Sequence, residues 1–332
     1  MGRGPTATYH KALNRHYQKG TLTCLKSSTL KERASPEFPL VINVEPTNDC
    51  NLNCYYCARR KSTKPVGYMT FGRAASVIDE AADHPKLVMM NFHKDGEPLL
   101  HPEIDRMIRY ASDRGVAEVL HLNTNGLCLS DEMIERLLDS GLDDVTLSID
   151  AFKRETYSST KGHDLLPLVD RQARRFVELR EKGRYRKPWI RAKIIEFQET
   201  SSEVADFHAY WETIVDEVQV TGIHNWSGAI SQVQVTDETS ETRYPCILLW
   251  YSLAVNWTGE VSVCSVDWDT STCIGKITQT GVQEAWRGGM IRKARKRELE
   301  GRHDSFRVCR KCVVWAAGDD LTDYFKTRTE FL

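Results

Sequence analysis

From about position 38 onward, short apolar runs rich in β-branched residues alternate with longer segments in which apolar residues return every three or four positions. The short runs predict six strands, over 40–45, 87–92, 118–123, 144–149, 189–195 and 217–221. Helical periodicity occupies the intervals, over 71–84, 103–114, 131–140, 169–182 and 203–214. This rhythm predicts parallel βαβ units, because a parallel neighbour requires a long crossover and a helix supplies it. Residues 1–37 are polar, with one short helical pattern over 9–19.

The pattern changes after the sixth strand. A polar stretch rich in Ser, Thr and Gln reads as a linker over 227–243. Beyond it, runs over 250–255 and 260–264 flank Asn256-Trp257-Thr258-Gly259 and predict a β-hairpin, followed by a helix over 282–299. The expected organisation is therefore an extension (1–37), a six-unit α/β body (38–226), the linker (227–243), a small hairpin-plus-helix unit (244–315) and a tail (316–332).

Composition narrows the class. With 332 residues, 41% hydrophobic and 27% charged, the chain is globular. A formal charge of −1 gives no overall footprint for nucleic acid, and the Lys/Arg run over 292–302 reads as a solvated helix face. No apolar run is long enough to cross a membrane and the first residues lack an apolar signal core, so a cytoplasmic location is expected.

The ten cysteines carry the chemistry. Cys50, Cys54 and Cys57 form C-x3-C-x2-C directly after the first strand, and Cys309 and Cys312 form C-x2-C near the end. Such grouping points to metal in a reducing compartment rather than to disulfides. Three close thiolates suit a cubic [4Fe–4S] cluster with one iron left open for another ligand. Cys246, Cys264, Cys309 and Cys312 make a second set, whose four thiolates suit Zn²⁺ or a [4Fe–4S] cluster alike.

C-x3-C-x2-C with an aromatic, Tyr56, before the last cysteine resembles the radical S-adenosylmethionine superfamily. The resemblance implies a partial (β/α)6 barrel and a cluster whose open iron binds S-adenosylmethionine. An electron from the cluster then yields a 5′-deoxyadenosyl radical that removes hydrogen from a C–H bond. Gly96 and Glu97, in Asp95-Gly96-Glu97-Pro98, resemble the family's Gly-Gly-Glu segment beside the methionine amino group, with Asp95 where the family has its first Gly. Asn123, Asn125, Ser148 and Asp150 resemble segments near the ribose and methionine carboxylate, and Lys193 is expected to pair with that carboxylate. Cys246-x12-Gly259-x4-Cys264 with the terminal pair resembles the twitch form of the SPASM domain, which implies one auxiliary [4Fe–4S] cluster, two clusters in all. A flavodoxin- or ferredoxin-type electron donor follows as an implied partner.

The short segment before the first strand leaves no room for a leader-peptide domain, so a polar small-molecule substrate is expected. The wider resemblance is to twitch enzymes acting on aminoglycosides and related sugars, which attack a carbinol C–H. Epimerisation with a cysteine hydrogen donor is the leading expectation and dehydrogenation to a ketone its alternative. Sugar dehydration or decarboxylation, and a non-enzymatic metal-binding protein, stand behind them. Cys273, nine positions past Cys264, is the first candidate donor and Cys128 the second; Cys24 is incidental. His93, Lys94 and Asp95, with His224, Asn225 and Trp226, are expected at the barrel mouth. Asp95 and Asp267 are candidates to bind ammonium groups or take the carbinol proton, Asp269 reads as a loop acid, and His101 is structural.

Overall fold

The computed structural model describes residues 25–223, 225–230 and 243–332. The helical pattern over 9–19, Cys24, His224 and most of the linker lie outside the described residues. Six strands, β1 (Val41–Val44), β2 (Leu87–Asn91), β3 (Ala117–Thr124), β4 (Asp144–Ser148), β5 (Trp189–Glu196) and β6 (Glu217–Gly222), pair in sequence order, each parallel to the next. The helices are α1 (Ser27–Arg33), α2 (Phe71–Ala82), α3 (Ile104–Arg114), α4 (Asp131–Asp139), α5 (Arg154–Lys161), α6 (Leu166–Lys182) and α7 (Val204–Trp211). After these come α8 (Gly281–Arg287), α9 (Gly289–Leu299) and α10 (Thr322–Lys326).

The hairpin is not a separate layer. Strand β7 (Ser252–Val255) pairs parallel with β1, in the register Val41↔Ser252, and so extends the barrel sheet at its first edge. Strands β8 (Glu260–Ser262) and β9 (Cys273–Lys276) then pair antiparallel outward from it. Strand β9 was not foreseen, since four residues containing Gly275 carry too little apolar pattern. The helix expected over 282–299 breaks at Gly288-Gly289 into α8 and α9, because paired glycines weaken a helix at the point where the chain must turn.

Alternation along the strands sets up the site. Ile42, Val44, Val88, Met90, Leu120, Leu122, Val145, Leu147, Ile190 and Ile194 belong to the buried apolar core. The alternate positions are largely polar: Asn43, Asn91, His121, Asn123, Asp144, Thr146, Ser148, Arg191, Lys193 and Gln219. By the two-residue period these share the other face of the sheet. Many are paired there. Asn43 Nδ2 donates to Ser252 Oγ at 3.1 Å and Asn91 Nδ2 to Asn43 Oδ1 at 3.1 Å. His121 Nδ1 lies 2.7 Å from Asp144 Oδ1, and Arg191 bridges Asp144 to Glu217. Polar groups so buried are tolerable only with such partners.

Candidate cluster and cofactor site

Strand β1 leads into the loop of Cys50, Cys54 and Cys57, which ends in a tight turn over Ala58–Lys61. Arg59 Nη2 donates to Cys50 O at 2.9 Å and Leu52 O at 3.3 Å, and Asp49 Oδ1 accepts from Cys50 N at 2.8 Å. The segment after β2 presses directly on the loop's entry. A Cβ at Gly96 would lie 2.3 Å from Thr47 O and 2.5 Å from Asp49 O, so only glycine lets the two backbones approach. Beside it, Glu97 N donates to Asp49 O at 2.6 Å.

Glu97 ties this junction to the end of β3. Its Oε1 accepts from Leu99 N at 3.0 Å and Thr124 Oγ1 at 2.6 Å, while its Oε2 accepts from Asn125 N at 2.7 Å. Asn125 Nδ2 in turn donates to Asn51 Oδ1 at 2.7 Å. One buried carboxylate therefore fixes the Gly-Glu segment and the Asn-Thr-Asn-Gly turn, and through Asn125 the cluster loop. Asn123 stands just before, with its Oδ1 buried and unpartnered.

Asp150 is a second hub. Its backbone takes φ +60°, in the left-handed region that favours glycine. Tyr56 Oη donates to its Oδ2 at 3.0 Å, Ser148 Oγ at 2.8 Å and Lys161 Nζ at 2.6 Å, while Oδ1 is buried without a hydrogen-bond partner among the described residues. Burial opposes the charge, but Lys161 and Lys193 outweigh it and hold the Asp150 carboxyl below its ordinary value. Burial pushes the Lys193 ammonium down, with Asp150 resisting. Lys161, on the polar helix α5, was missed from sequence. Nothing in a run of Thr, Tyr, Ser and Lys marks one lysine as buried.

The segment after β2 also reaches the C-terminal unit. Lys94 is buried, 2.5 Å from Asp95 Oδ2, 2.9 Å from Asp267 O and 3.9 Å from Glu45 Oε1. Lys64 joins Asp95 at 3.4 Å. Asp95 Oδ1 and Glu45 Oε1 are buried with no hydrogen-bond partner among the described residues. Burial, with Lys193, His121 and Lys94 nearby, pushes the His93 imidazole down to about 3, so it is neutral. Asp267 differs from its expectation. Its two oxygens accept from Ser271 N, Ser271 Oγ, Thr272 N and Thr272 Oγ1, so the carboxylate clasps its own loop. Asp269 pairs with Arg307, and His101 is held between Met69 O and Glu103 N.

Four thiols gather in the C-terminal unit. Cys246 N donates to Glu298 Oε2 at 3.2 Å, and Arg243 Nη1 donates to Cys309 O at 2.7 Å. Val266 N donates to Cys264 Sγ at 3.4 Å. Cys309 and Cys312 bracket a turn closed by Cys312 N donating to Cys309 O at 3.3 Å. Burial and the neighbouring thiols raise Cys246 well above the usual thiol range, and Cys264 is pushed up to about 12. In the first set, burial pushes Cys57 up to about 12 and raises Cys50. All seven thiols are free of disulfides. Among the described residues no three Cys, His, Asp or Glu side chains converge as one metal ion would require. The coupling between the thiols is electrostatic, over a longer reach. Buried sulfurs that raise one another's pKa need a compensating cation, and soft thiolate sets of three and four fit iron–sulfur clusters on those grounds.

The two spare thiols lie apart. Asn51 Nδ2 donates to Cys128 Sγ at 3.4 Å, and burial, with Glu97 and Cys50 beside it, pushes that thiol up to about 11. Cys273 begins β9, three strands beyond β1, and its Sγ donates to Gly275 O at 3.3 Å in its own strand. Cys273 thus stands on the outermost strand of the shared sheet rather than beside β1, because the chain turns through the Asp267 loop before β9 begins.

Comparison with known proteins agrees with this geometry. Residues 44–183 match the radical SAM superfamily and residues 246–313 match an iron–sulfur cluster-binding domain, SPASM. A cofactor-modifying protein of a tungsten-containing aldehyde ferredoxin oxidoreductase, from Pyrococcus furiosus, is 30% identical over 50% of this chain and 46% of its own length. An AdoMet-dependent heme synthase from Methanosarcina barkeri is 36% identical over 39% of this chain and 36% of its own. The chain thus spans less than half the length of these curated relatives. Among solved structures, BtrN in complex with AdoMet and 2-DOIA superposes with TM-score 0.57 at 17% identity, covering 83% of this chain and 93% of that one, a likeness of fold. The matched families bring S-adenosylmethionine, a [4Fe–4S] cluster and auxiliary iron–sulfur. The chain thus carries a radical SAM domain over residues 44–183 and a SPASM iron–sulfur cluster-binding domain over residues 246–313.

Proposed function

We propose that this enzyme removes a hydrogen atom from a carbinol C–H of an amine-bearing, sugar-like small molecule and oxidises that carbon to a ketone. The observation that carries the reading is a group of five buried polar atoms, on β2–β4 or directly after β1 and β2, that have no hydrogen-bond partner among the described residues: Asn91 Oδ1, Asn123 Oδ1, Thr146 Oγ1, Glu45 Oε1 and Asp95 Oδ1. Four of the five can only accept, so they call for a ligand rich in hydroxyl and ammonium donors. An apolar ligand would leave each of them unsatisfied, at about 1–3 kcal/mol apiece.

When bound, S-adenosylmethionine on a reduced cluster supplies the carbon radical that takes one hydrogen atom, and an auxiliary cluster supplies a one-electron acceptor. The chain's own residues hold and orient. Cys50, Cys54 and Cys57 would hold the first cluster, and Cys246, Cys264, Cys309 and Cys312 the second. Tyr56, Gly96, Glu97, Asn123, Asn125, Ser148, Asp150 and Lys193 shape the S-adenosylmethionine pocket. Asp150 Oδ1 and the Lys193 ammonium offer complementary charges there. Asp95 Oδ1 is the group to receive the hydroxyl proton as the carbonyl forms. Glu45 Oε1, beside it, accepts an ammonium.

Epimerisation is the second reading, favoured by one observation. The Cys128 thiol, bonded to Asn51 of the cluster loop and kept protonated, could return a hydrogen atom to the carbon. A panel of aminocyclitols and aminoglycosides, incubated anaerobically with reconstituted enzyme in deuterated water, tests both. A ketone with one equivalent of 5′-deoxyadenosine supports dehydrogenation. An inverted carbon carrying one deuterium supports epimerisation. No 5′-deoxyadenosine from any polar amine would sink the substrate class.

A further inference from the structure

Asp95 meets two lysines through one of its oxygens. Lys94 Nζ donates to Asp95 Oδ2 at 2.5 Å and Lys64 Nζ to the same atom at 3.4 Å, so Oδ1 is the carboxylate oxygen left over. The lysines reach it from different segments. Lys64 follows the turn that ends the cysteine loop, and Lys94 follows β2.

Each lysine also holds the C-terminal unit. Lys94 Nζ donates to Asp267 O at 2.9 Å and Lys64 Nζ to Thr270 Oγ1 at 3.1 Å, so both end on the loop between Cys264 and β9. That loop has a shape of its own. The Asp267 carboxylate clasps Ser271 and Thr272, and Val266 N donates to Cys264 Sγ at 3.4 Å. Thr270 takes φ +60°, where a β-branched residue is rarely found. Such a conformation persists only where its surroundings over-determine it, and here the Asp267 clasp and Lys64 supply the contacts. The two lysines are not equivalent. Lys94 is wholly buried and lies 3.9 Å from Glu45 Oε1, whereas the Lys64 side chain is 20% exposed, beside a cleft that it lines with Asp95 and Trp268.

We propose that Lys64 and Lys94 are positioning residues, a two-cation brace that holds the Asp95 carboxylate and the 264–272 loop as one unit and leaves Asp95 Oδ1 as the free acceptor. The proposal rests on the reading above, in which Oδ1 takes the hydroxyl proton, and adds what fixes that atom in place. A carboxylate held at one oxygen by one donor can rock about it, whereas two donors from separate segments fix its plane. Two cations also offset the cost of burying the acid's charge. Because the same lysines end on the loop after Cys264, a shift of that loop would move Asp95 with it.

Lys64→Met and Thr270→Val cut the outer arm of the brace at its two ends. Valine keeps the branched shape of Thr270 and loses the acceptor. Hydrogen exchange of the reconstituted enzyme, read by mass spectrometry, should show amides of 264–272 exchanging about fivefold faster in both variants, with β3 and β4 unchanged. In turnover of an aminocyclitol, the wild type should make about one ketone per 5′-deoxyadenosine and each variant less than about half of that. A general loss of folded enzyme would lower both products together and leave the ratio alone. Lys64→Arg, which has room at the cleft and keeps the cation, should restore the exchange rates and the ratio. Wild-type exchange in the loop, or an undiminished ratio, in either cut variant would overturn the proposal. Absence of ketone from the wild type would instead overturn the ketone reading, and the exchange rates, with Lys94→Met cutting the inner arm, would still judge the brace.

Discussion

Trp226 Nε1 donates to Tyr56 O at 3.0 Å, across 170 positions of sequence, and so joins the loop of the first cysteine set to the segment after β6, where Asn225 Nδ2 donates to Lys311 O at 2.8 Å beside the second. Tyr56 is itself fixed from its other end, where its hydroxyl donates to Asp150 at 3.0 Å. Tyr56, between Cys54 and Cys57, thus answers both to the end of β4 and to the segment after β6. Trp226→Phe removes the indole N–H and part of the ring's packing, and should lower the urea unfolding free energy by roughly 1–2 kcal/mol. Equal midpoints for variant and wild type would show that the indole contributes nothing to stability.

Gly96 has no room for a side chain. The methyl of Gly96→Ala would meet backbone oxygens of Thr47 and Asp49 rather than movable side chains, so the entry to the cysteine loop must shift. The variant should fold, with a loss of about 1–3 kcal/mol, and lose iron from the first site on gel filtration. Full iron retention would show the loop to be more compliant than its contacts imply.

Glu97 accepts three hydrogen bonds from backbone and side-chain donors. Glu97→Gln turns one acceptor oxygen into a donor that faces a donor. The expected loss is about 2–3 kcal/mol in stability, with weakened S-adenosylmethionine binding measured by calorimetry. Glu97→Asp, which keeps the charge but shortens the reach, should fall between the two.

The two thiol sets should load separately. Replacing Cys50, Cys54 and Cys57 by Ala should leave about four irons per chain and abolish 5′-deoxyadenosine; replacing Cys309 and Cys312 should spare the first site. Recovery of zinc alone in the first variant would make the C-terminal set structural.

His93 gives the pH dependence a sign. Its imidazole is pushed from 6.5 to about 3 in the folded chain, first by burial, so the unfolded chain binds a proton that the folded one refuses. Stability from this group is complete above about 6.5 and falls as the pH drops from there toward 3. His93→Gln should flatten that decline in urea midpoints measured at pH 8 and pH 5; a parallel decline would assign it to other groups.

The parallel α/β body, the two thiol sets and the Gly-Glu segment were legible along the chain, because each rests on local signals: strand and helix periods, cysteine spacing, and a glycine beside a strand end. Asp150 and Asn125 were also marked by their place at strand ends. Long-range packing settled what remained. Lys161 became a partner of Asp150 only when α5 folded back over β4, and the hairpin became part of the barrel sheet only through the pairing of β7 with β1. The fates of Asp267 and Cys273 were equally long-range or conformational. Four hydrogen bonds within one turn engaged the Asp267 carboxylate, and a strand that sequence did not reveal carried Cys273 to the sheet edge. Spacing along the chain states which groups can meet within a loop, whereas the direction in which a buried charge finds its partner depends on elements packed from far away.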